Sequence, residues 1–293
     1  MQKILAFVLA GGEGTRLRPL TARRPKPALP FAGRRIIDFA LSNLVNSGVE
    51  EIYVLAQYRP AAILEHVERA WSPLPEEAGR FAAVVLPDGS DGAFLGTADA
   101  VYKNIQLVER HRPDVVAVFA ADHVYRMDVG QMASFHARSG AAVTVAALPV
   151  PLRQATAFGA VMTASDGRIE NFEEKPELPV PIPSQPSHAY ASMGNYLFDP
   201  RTLVGLLEEA HQRGEKDFGR HLLPRISRTH RVFAYDFSGN RVPGLLDCEE
   251  RCYWRDVGTL DAYVAAQEDT LGPRPRFSVE NVFWPIHGSR APL

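Results

Sequence analysis

The segment Lys3–Leu17 reads KILAFVLAGGEGTRL, and its pattern indicates which fold to expect. Its first part, Lys3–Ala10, is a short apolar run that predicts a strand, and three glycines follow within four positions. A run without polar alternation is typical of a strand that is buried on both faces. Glycines after such a strand let backbone N–H groups approach an anion, because no Cβ atom obstructs them. The segment therefore predicts a buried strand that leads into an anion-binding loop.

Outward from this segment, predicted strands alternate with predicted helices through the first half of the chain. Apolar residues at helical spacing predict the first helix over Ile36–Ser47, and Gly48 is placed to end it. This order predicts an α/β fold with a doubly wound, mostly parallel sheet, whose ligands bind beyond the carboxyl ends of the strands. The other predicted strands here are Glu51–Gln57, Phe81–Leu86, Val115–Ala121 and Ala142–Leu148, and the other helices are Pro60–Trp71, Thr97–Val108 and Val129–Ser139.

The pattern changes in the middle of the chain. Two segments, Ala160–Ala164 and Ile169–Glu173, flank the turn sequence Ser165-Asp166-Gly167 and predict an inserted β-hairpin. The proline-rich segment Leu178–Pro186 predicts a loop. The remaining predicted strands are Tyr190–Phe198 and Val232–Phe237, and the remaining helices are Leu203–Gln212, Phe218–Ile226 and Leu260–Thr270.

Composition and charge exclude several classes of protein. The 293 residues are 46% hydrophobic and 23% charged, which excludes wholesale disorder. The formal net charge is −2, so a net-basic nucleic-acid-binding protein is not expected. No apolar run reaches the ~20 residues of a membrane span, and we expect a cytoplasmic protein with neither nucleic acid nor membrane as a partner. Cys248 and Cys252 are interpreted as incidental thiols, because a lone C-x-x-x-C is a weak metal signal.

Positive charge is concentrated just after the glycine loop. Two common phosphate loops are excluded, since the pattern G-x-G-x-x-G would need glycine where Leu17 stands and the sequence has no Gly-Lys-Ser/Thr. Between Glu13 and Arg35 there are instead seven basic residues and one acidic residue. Prolines on both sides of Lys26 restrict its backbone, so its ammonium can be held as a fixed charge against a phosphate. A solvated basic loop is the alternative interpretation.

Short strings along the chain carry a family resemblance. They are LAGGEGTRL (Leu9–Leu17) followed by Lys26-Pro27, IIDFALSNLVNS (Ile36–Ser47), GTADA (Gly96–Ala100), DHVY (Asp122–Tyr125), Glu174-Lys175-Pro176, ASMG (Ala191–Gly194), Asp217-Phe218-Gly219 and YWRDVGTL (Tyr253–Leu260). In this order they resemble the signatures of the sugar-1-phosphate nucleotidylyltransferases, most closely the glucose-1-phosphate adenylyltransferases. The resemblance implies a Rossmann-like nucleotidyltransferase fold, a catalytic domain over residues 1–265, and a sugar-binding role for the inserted hairpin.

The resemblance also implies a reaction and its residues. An oxygen of glucose 1-phosphate would attack the α-phosphate of ATP, giving pyrophosphate and ADP-glucose for glycogen or α-glucan synthesis. Both reactants are anions, so positioning and positive charge would carry catalysis. Arg16, Lys26 and Asp122 would be catalytic, and Mg²⁺ would be held by Asp122 and Asp256. The implied nucleotide-binding residues are Leu9, Ala10, Gly11, Gly12, Gly14, Thr15, Gly96 and Thr97, and the implied sugar-phosphate-binding residues are Gly159, Glu174, Lys175, Ser192, Gly194, Tyr196 and Asp217.

Several of these residues also have an ordinary structural interpretation. Pro176 favours extended backbone at Lys175, which could be a surface lysine neutralised by the two preceding glutamates. The GTADA string could open an ordinary capped helix. The remaining alternatives are a pair between Arg16 and Glu13, a cap by Asp122 on a helix near Asp128, and a pair of Asp256 with Arg255 or a cap near Thr259.

The chain departs from the family pattern in the loop Pro87–Leu95. This loop is short and lacks the glutamine and the Trp-Tyr pair that family members carry near the base. Another sugar-1-phosphate nucleotidylyltransferase, with a different base or sugar, is therefore an alternative. A catalytically silent regulatory subunit is a second alternative, although Lys26, Asp122, Lys175 and Asp256 are all present.

Length is the other departure from the family pattern. Family members continue into a left-handed β-helix of hexapeptide repeats, and no such repeat is found here. Residues 266–293 are therefore expected to be a tail or linker leading to that domain, in an isolated catalytic domain or a naturally short homologue. Members of the family are commonly tetrameric, so the resemblance implies a homo-oligomer.

Overall fold

The structure is a computed structural model that describes residues 2–71, 81–88 and 92–288, with only the backbone of Phe81. The strands in this part of the chain are β1 (Ile4–Ala10), β2 (Pro30–Phe31), β3 (Arg34–Arg35), β4 (Glu51–Ala56), β5 (Phe81–Val85), β6 (Val115–Ala120), β7 (His123–Tyr125), β8 (Val143–Pro151), β9 (Gly159–Thr163), β10 (Ile169–Glu174), β11 (His188–Phe198), β12 (Val232–Asp236) and β13 (Trp254–Asp256). The α-helices are α1 (Ile36–Asn46), α2 (Ala61–Ala70), α3 (Thr97–Tyr102), α4 (Gln106–His111), α5 (Val129–Arg138), α6 (Leu152–Ala155), α7 (Pro200–Gln212), α8 (Leu223–Ile226) and α9 (Leu260–Glu268).

Most predicted elements are confirmed with small shifts at their ends, but two predicted helices are interrupted. The predicted helix Thr97–Val108 is α3 followed by α4. Between them, tight turn bonds such as Asn104 N to Val101 O (3.0 Å) replace the α-helical pattern, and the Asn104 side chain donates to the Ala100 carbonyl at 2.8 Å. A side chain that competes for helical carbonyls favours such a break.

The second interrupted helix is the predicted Phe218–Ile226. It begins as one turn of π-helix, Phe218–Leu222, and only then continues as α8. The Asp217 carbonyl accepts from the N–H of Leu222 at 3.2 Å, five residues later. A wider turn of this kind is common at functional sites.

The chain divides into two compact units. Unit 1 comprises Met1–Leu5, Phe94–Val118 and Gly130–Gly239, and unit 2 comprises Ala6–Ala93, Phe119–Val129 and Asn240–Leu293. Strands β1 and β6 contribute residues to both units.

Unit 2 is built on strands in the order β6-β1-β4-β5, of which β4 and β5 are parallel. Helix α1 packs against β7, and β7 pairs with β13 in a short antiparallel ladder. Its apolar core includes Phe31, Phe39, Tyr253, Phe277 and Ile286. The last two belong to the predicted tail 266–293, so the described part of that tail packs into this core, while residues 289–293 lie outside the described residues.

Unit 1 contains the mixed part of the sheet. Strand β11 pairs antiparallel with both β8 and β9, β9 pairs antiparallel with β10, and β12 adds to β8 in parallel. The predicted hairpin is confirmed as β9 and β10, and Gly167 in its turn has φ 83°, a left-handed conformation that favours glycine. A bulge interrupts β11 between Ser192 and Tyr196, so this strand carries extra residues opposite β8.

The predicted α/β class with a mostly parallel, Rossmann-like sheet and flanking helices is confirmed. The inserted hairpin and β11 account for the antiparallel pairs of unit 1. Within the described residues, no helix is both long and apolar enough to cross a bilayer.

Candidate functional site

The glycine loop follows the carboxyl end of β1, as the sequence predicts. Gly14 adopts φ 63°, and a Cβ atom built on it would lie 3.0 Å from the Cβ of Lys26. A larger residue at this position would therefore be strained and would press on Lys26. At Gly12, by contrast, a Cβ atom would meet nothing within 4 Å. No neighbouring atom in the described structure therefore requires glycine at this position. The open space beside Gly12 leaves room for a ligand against the backbone.

Lys26 lies between Pro25 and Pro27 and is the first residue of the short 3₁₀ turn Lys26–Ala28. Its side chain is only 6% exposed. Its ammonium donates to Asp256 Oδ1 at 2.8 Å and to Asp122 Oδ2 at 3.1 Å. The structure therefore brings together three residues that are distant in sequence and that the resemblance assigns to catalysis and metal binding.

The register of one short ladder explains why the two carboxylates meet. In the pairing of β7 with β13, Asp256 lies opposite His123, and Asp122 directly precedes His123. Asp122 also follows the carboxyl end of β6, the edge where ligands bind in this class of fold.

Electrostatics keep both members of the Lys26–Asp122 pair charged. Burial opposes the charged form of Lys26, but Asp122 and Asp256 outweigh it and raise the pKa of Lys26 above its ordinary value. Burial also opposes ionisation of Asp122, but His123 and Lys26 hold the pKa of that carboxyl at about 2. The ion pair therefore persists across the neutral pH range.

The residues around this pair fit a divalent cation. Asp122, His123 and Asp256 offer ligand atoms that all lie within 4.8 Å of one another. His123 Nδ1 is buried and has no hydrogen-bond partner in the described part of the chain. Carboxylate oxygens suit Mg²⁺ and Mn²⁺, and an imidazole widens the choice to ions such as Zn²⁺. Sequence reasoning missed His123 as a site residue, although it follows Asp122 directly.

Arg16 lies close to the carboxylate of Asp256. A Cβ atom on Gly258 would lie 3.0 Å from Arg16 Nη2 and 2.9 Å from both carboxylate oxygens of Asp256. Glycine at this position therefore lets the guanidinium and the carboxylate pack over the backbone. The alternative pair of Asp256 with Arg255 is wrong, because Arg255 pairs with Glu250 (2.7 Å) and with Asp269 (3.3 Å). The alternative cap near Thr259 is wrong as well, because the Thr259 hydroxyl itself accepts from the N–H of Ala262 at 3.2 Å.

A second group of predicted residues meets in unit 1. The Thr97 hydroxyl donates to Asp217 Oδ2 at 2.9 Å and accepts from the N–H of Phe218 at 3.0 Å. The next two N–H groups of α3 donate to the Lys216 carbonyl, and Gly96 packs so closely on that carbonyl that a Cβ atom would collide with it. Hydrogen bonds from the GTADA string therefore hold the start of α3 against the turn that carries Asp217.

Two glycines pack around the carboxylate of Glu174. Its Oε2 lies 2.8 Å from the position of a Cβ atom on Gly219 and 3.1 Å from that on Gly159. A Cβ atom on Gly159 would also collide with the ring of Phe172. Sequence reasoning identified Gly159 and Glu174 but not the role of Gly219, which stands in the Asp217-Phe218-Gly219 string.

Lys175 differs from the expectation. Its φ is 53°, in the left-handed region, so the extended backbone predicted from Pro176 is wrong. The reason is a turn at the end of β10, where the N–H of Lys175 donates to the Phe158 carbonyl at 3.0 Å. The exposed ammonium lies 3.6 Å from Glu174 Oε1, the local pairing that the alternative interpretation describes.

The bulge of β11 carries the remaining predicted residues. Gly194 adopts φ 72°, and its N–H donates to Ser192 Oγ at 3.3 Å. Burial, together with the charges of Asp217 and Glu174, raises the pKa of the Tyr196 phenol, so it remains a neutral hydrogen-bonding group. Asn195 is fully buried, and neither polar atom of its amide has a hydrogen-bond partner in the described part of the chain.

The structure thus gathers the predicted site residues into two sets. The set in unit 2 contains Leu9, Ala10, Gly11, Gly12, Gly14, Thr15, Arg16, Lys26, Asp122 and Asp256. The set in unit 1 contains Gly96, Thr97, Gly159, Glu174, Lys175, Ser192, Gly194, Tyr196 and Asp217.

Comparison with known proteins agrees with the sequence strings. The family model described as nucleotidyl transferase matches residues 5–272. A glucose-1-phosphate adenylyltransferase of Thermodesulfovibrio yellowstonii is 49% identical over 99% of this chain and 72% of its own length. Those of Geobacter metallireducens and Thermus thermophilus are 43% and 45% identical, over 96% and 97% of this chain and 69% and 70% of their own lengths. The chain therefore belongs to the nucleotidyl transferase family, as a relative of its glucose-1-phosphate adenylyltransferases.

Proposed function

We propose that this chain transfers the adenylyl group of ATP to glucose 1-phosphate, giving ADP-glucose and pyrophosphate for α-glucan synthesis. The relatives that match nearly the whole chain are named for this activity. The observation that carries the proposal is the buried contact of Lys26 with Asp122 and Asp256, next to a glycine loop that has open space at Gly12.

The chemistry requires positive charge at the phosphates. A phosphate oxygen of glucose 1-phosphate attacks the α-phosphorus of ATP, and the bond from that phosphorus to the bridging oxygen of pyrophosphate breaks. Lys26 would stabilise the charge that develops on these oxygens, and Arg16 would bind the triphosphate through its planar fork of donors. The glycine loop would contribute backbone N–H groups to the same phosphates.

We propose Mg²⁺ as the cation, held by Asp122 and Asp256. When bound, it supplies Lewis-acid stabilisation of phosphate charge. The two carboxylates match its preference for oxygen ligands from one or two side chains together with substrate phosphates. His123 lies beside both carboxylates, at 3.5 Å from Asp122 and 3.9 Å from Asp256.

Unit 1 would bind the sugar phosphate. Glu174, Asp217 and the Tyr196 phenol offer acceptors and donors in fixed directions, which suits the hydroxyl groups of a hexose. Lys175 would bind the phosphate of the sugar, because its side chain is 57% exposed and therefore accessible. Ser192 and Gly194 shape the bulge that carries Tyr196.

The decisive experiment measures pyrophosphate release from a matrix of nucleoside triphosphates and sugar 1-phosphates in the presence of Mg²⁺. We expect the highest kcat/KM for ATP with glucose 1-phosphate. The matrix matters because residues 89–91 of the loop Pro87–Leu95, which the resemblance associates with the base, lie outside the described residues. A higher kcat/KM for another pair would replace the assignment of base or sugar. A folded sample that turns over no pair would contradict the enzyme and favour the silent subunit.

A further inference from the structure

We propose that Lys26 and a divalent cation are alternative partners of the same pair of carboxylates, so that binding of the cation releases the Lys26 ammonium to the phosphates of the substrate. The competition concerns only Lys26, Asp122 and Asp256 and does not depend on which sugar or base is used. The destination of the released ammonium rests on the proposed function.

The first step concerns the oxygens that Lys26 already uses. Its ammonium bonds one oxygen of Asp122 and one of Asp256, at 3.1 and 2.8 Å. The Lys26 side chain is 6% exposed, whereas that of Asp122 is 38% exposed, so the ammonium is buried while part of the Asp122 carboxylate faces solvent. A cation that takes one oxygen from each carboxylate within this pair must therefore replace an ammonium held by two charge-assisted bonds.

The second step concerns charge. The two carboxylates carry two negative charges, and Lys26 neutralises one of them. A divalent ion would neutralise both, after which the ammonium would face a repelling cation within a few ångströms and no compensating charge from the pair. At ~4 Å such a repulsion is worth several kcal/mol even in a partly screened site, so joint occupancy of the same oxygens is disfavoured.

The third step concerns what can move. The backbone at Lys26 is restricted by Pro25 and Pro27, and the Cβ atom of Lys26 packs against Gly14 of the glycine loop. The flexible four-carbon stem of a lysine allows the ammonium to shift while the backbone stays in place. An ammonium that leaves the carboxylates therefore remains beside the glycine loop, where phosphate is proposed to bind.

One arrangement would defeat this competition. Asp122 Oδ1 faces His123 Nδ1 at 3.5 Å and is not the oxygen that Lys26 bonds. A cation held by Asp122 Oδ1 and His123 alone would leave Lys26 where it is. The experiment must therefore separate displacement of Lys26 from a general effect of positive charge.

The test measures binding of Mn²⁺ alone by the electron paramagnetic resonance signal of the free ion, without nucleotide. We compare the wild type with Lys26→Met and with Arg16→Met. Each variant removes one positive charge near Asp256, but Arg16 makes no hydrogen bond to either carboxylate in the described structure. Loss of the Arg16 charge should also raise Mn²⁺ affinity, which measures the general effect of positive charge. Displacement predicts that Lys26→Met binds Mn²⁺ at least tenfold more tightly than Arg16→Met does, because only Lys26 occupies the oxygens that the cation takes. Equal effects of the two variants, or no gain in Lys26→Met, would overturn the proposal.

A second measurement on the wild type covers the case in which Lys26→Met does not fold. Brief reductive methylation followed by peptide mass spectrometry reports how accessible the Lys26 amine is, with the exposed Lys175 as an internal reference. Saturating Mn²⁺ is expected to raise methylation of Lys26 severalfold relative to Lys175. Unchanged methylation in the presence of bound Mn²⁺ would contradict the displacement. Neither readout uses turnover, so a negative result leaves the pyrophosphate-release test of the proposed function intact.

Discussion

At the scale of single residues, the Lys26–Asp122 pair sets a range of pH in which its stabilisation is complete. His123 and Lys26 together lower the pKa of Asp122 from 3.8 to about 2 on folding, so the contribution of this carboxylate is present above pH 3.8 and is lost as the pH falls toward 2. The pKa of Lys26 is raised on folding, so its contribution is present below 10.5 and is lost as the pH rises through the higher folded value. Between these limits Asp122 and Lys26 are both charged.

The first prediction follows for Asp122→Asn. Its deficit in the free energy of unfolding relative to the wild type should shrink as the pH falls below 4. A fall in pKa from 3.8 to about 2 corresponds to roughly 2.5 kcal/mol, and solvent screening reduces this to about 1 kcal/mol because the side chain is 38% exposed. Urea unfolding at several pH values measures it. Asp166→Asn, in the exposed hairpin turn, is the control for loss of a carboxylate, and a deficit that grows on acidification would contradict the prediction.

Gly219 supports a second prediction at the residue scale. A Cβ atom there would lie 2.8 Å from Glu174 Oε2, so Gly219→Ala should displace the carboxylate rather than the backbone. We expect KM for glucose 1-phosphate to rise about tenfold, the size of one lost hydrogen bond, with little change in KM for ATP. Steady-state kinetics with each substrate varied in turn measure this.

The matched control is Gly205→Ala in helix α7, where a Cβ atom meets nothing within 4 Å. It should leave both KM values unchanged and raise stability by about 0.5–1 kcal/mol, because alanine favours a helix over glycine. If Gly219→Ala behaves like this control, Glu174 does not bind the sugar.

At the scale of elements, helix α1 is fixed by a buried carboxylate in its first turn. Asp38 accepts from the backbone N–H of Arg35 at 2.8 Å and from Trp71 Nε1 at 2.9 Å, and it bonds His66 Nε2 at 2.6 Å. The side chain has no exposure to solvent. Asp38 therefore connects the start of α1 with His66 in α2 and with Trp71, the residue that ends α2.

The third prediction concerns this carboxylate. Asp38→Ala should lower the free energy of unfolding by about 3–4 kcal/mol, because it leaves buried donors without an acceptor. Chemical denaturation measures the effect. Glu68→Ala, on the exposed face of α2, should change stability by less than about 0.5 kcal/mol. A loss below 1 kcal/mol in Asp38→Ala would show that the donors find other partners.

Elements were predicted well where apolar periodicity is local and less well where side chains compete for the backbone. The period of apolar residues gives β1, α1, β4 and the hairpin of β9 with β10 directly. It cannot show that the Asn104 side chain breaks a helix or that Leu222 bonds the carbonyl five residues earlier. The ladder of β7 with β13 was missed as well, since its strands are three residues long.

At the scale of the whole molecule, near-neutral net charge conceals a strong local division of charge. The basic segment after β1 supplies Arg16 and Lys26, and two acidic residues far along the chain, Asp122 and Asp256, pair with Lys26. A reaction between two anions needs this division, because cations must neutralise the substrates while carboxylates hold the metal.

The fourth prediction concerns the metal. Removal of divalent cations with EDTA should abolish pyrophosphate release, and an excess of Mg²⁺ should restore it. Near-ultraviolet circular dichroism should change little on EDTA treatment, because Lys26 already bonds both carboxylates. Turnover that persists in EDTA would contradict the proposed role of Asp122 and Asp256.

The sequence by itself determined the α/β class, the order of most elements, the glycine loop and the family, because these depend on local periodicity and on short strings of residues. Only the tertiary structure decided which side chains meet. Lys26 bonds Asp122, which is 96 residues away in sequence, and Asp256, which is 230 residues away. The two carboxylates meet because of the register between β7 and β13, which no local pattern of residues predicts. The bond of the Thr97 hydroxyl to Asp217 and the left-handed backbone of Lys175 also depend on contacts between segments that are distant in sequence. Contacts between distant segments depend on how strands and turns pack, and that packing is a property of the folded chain.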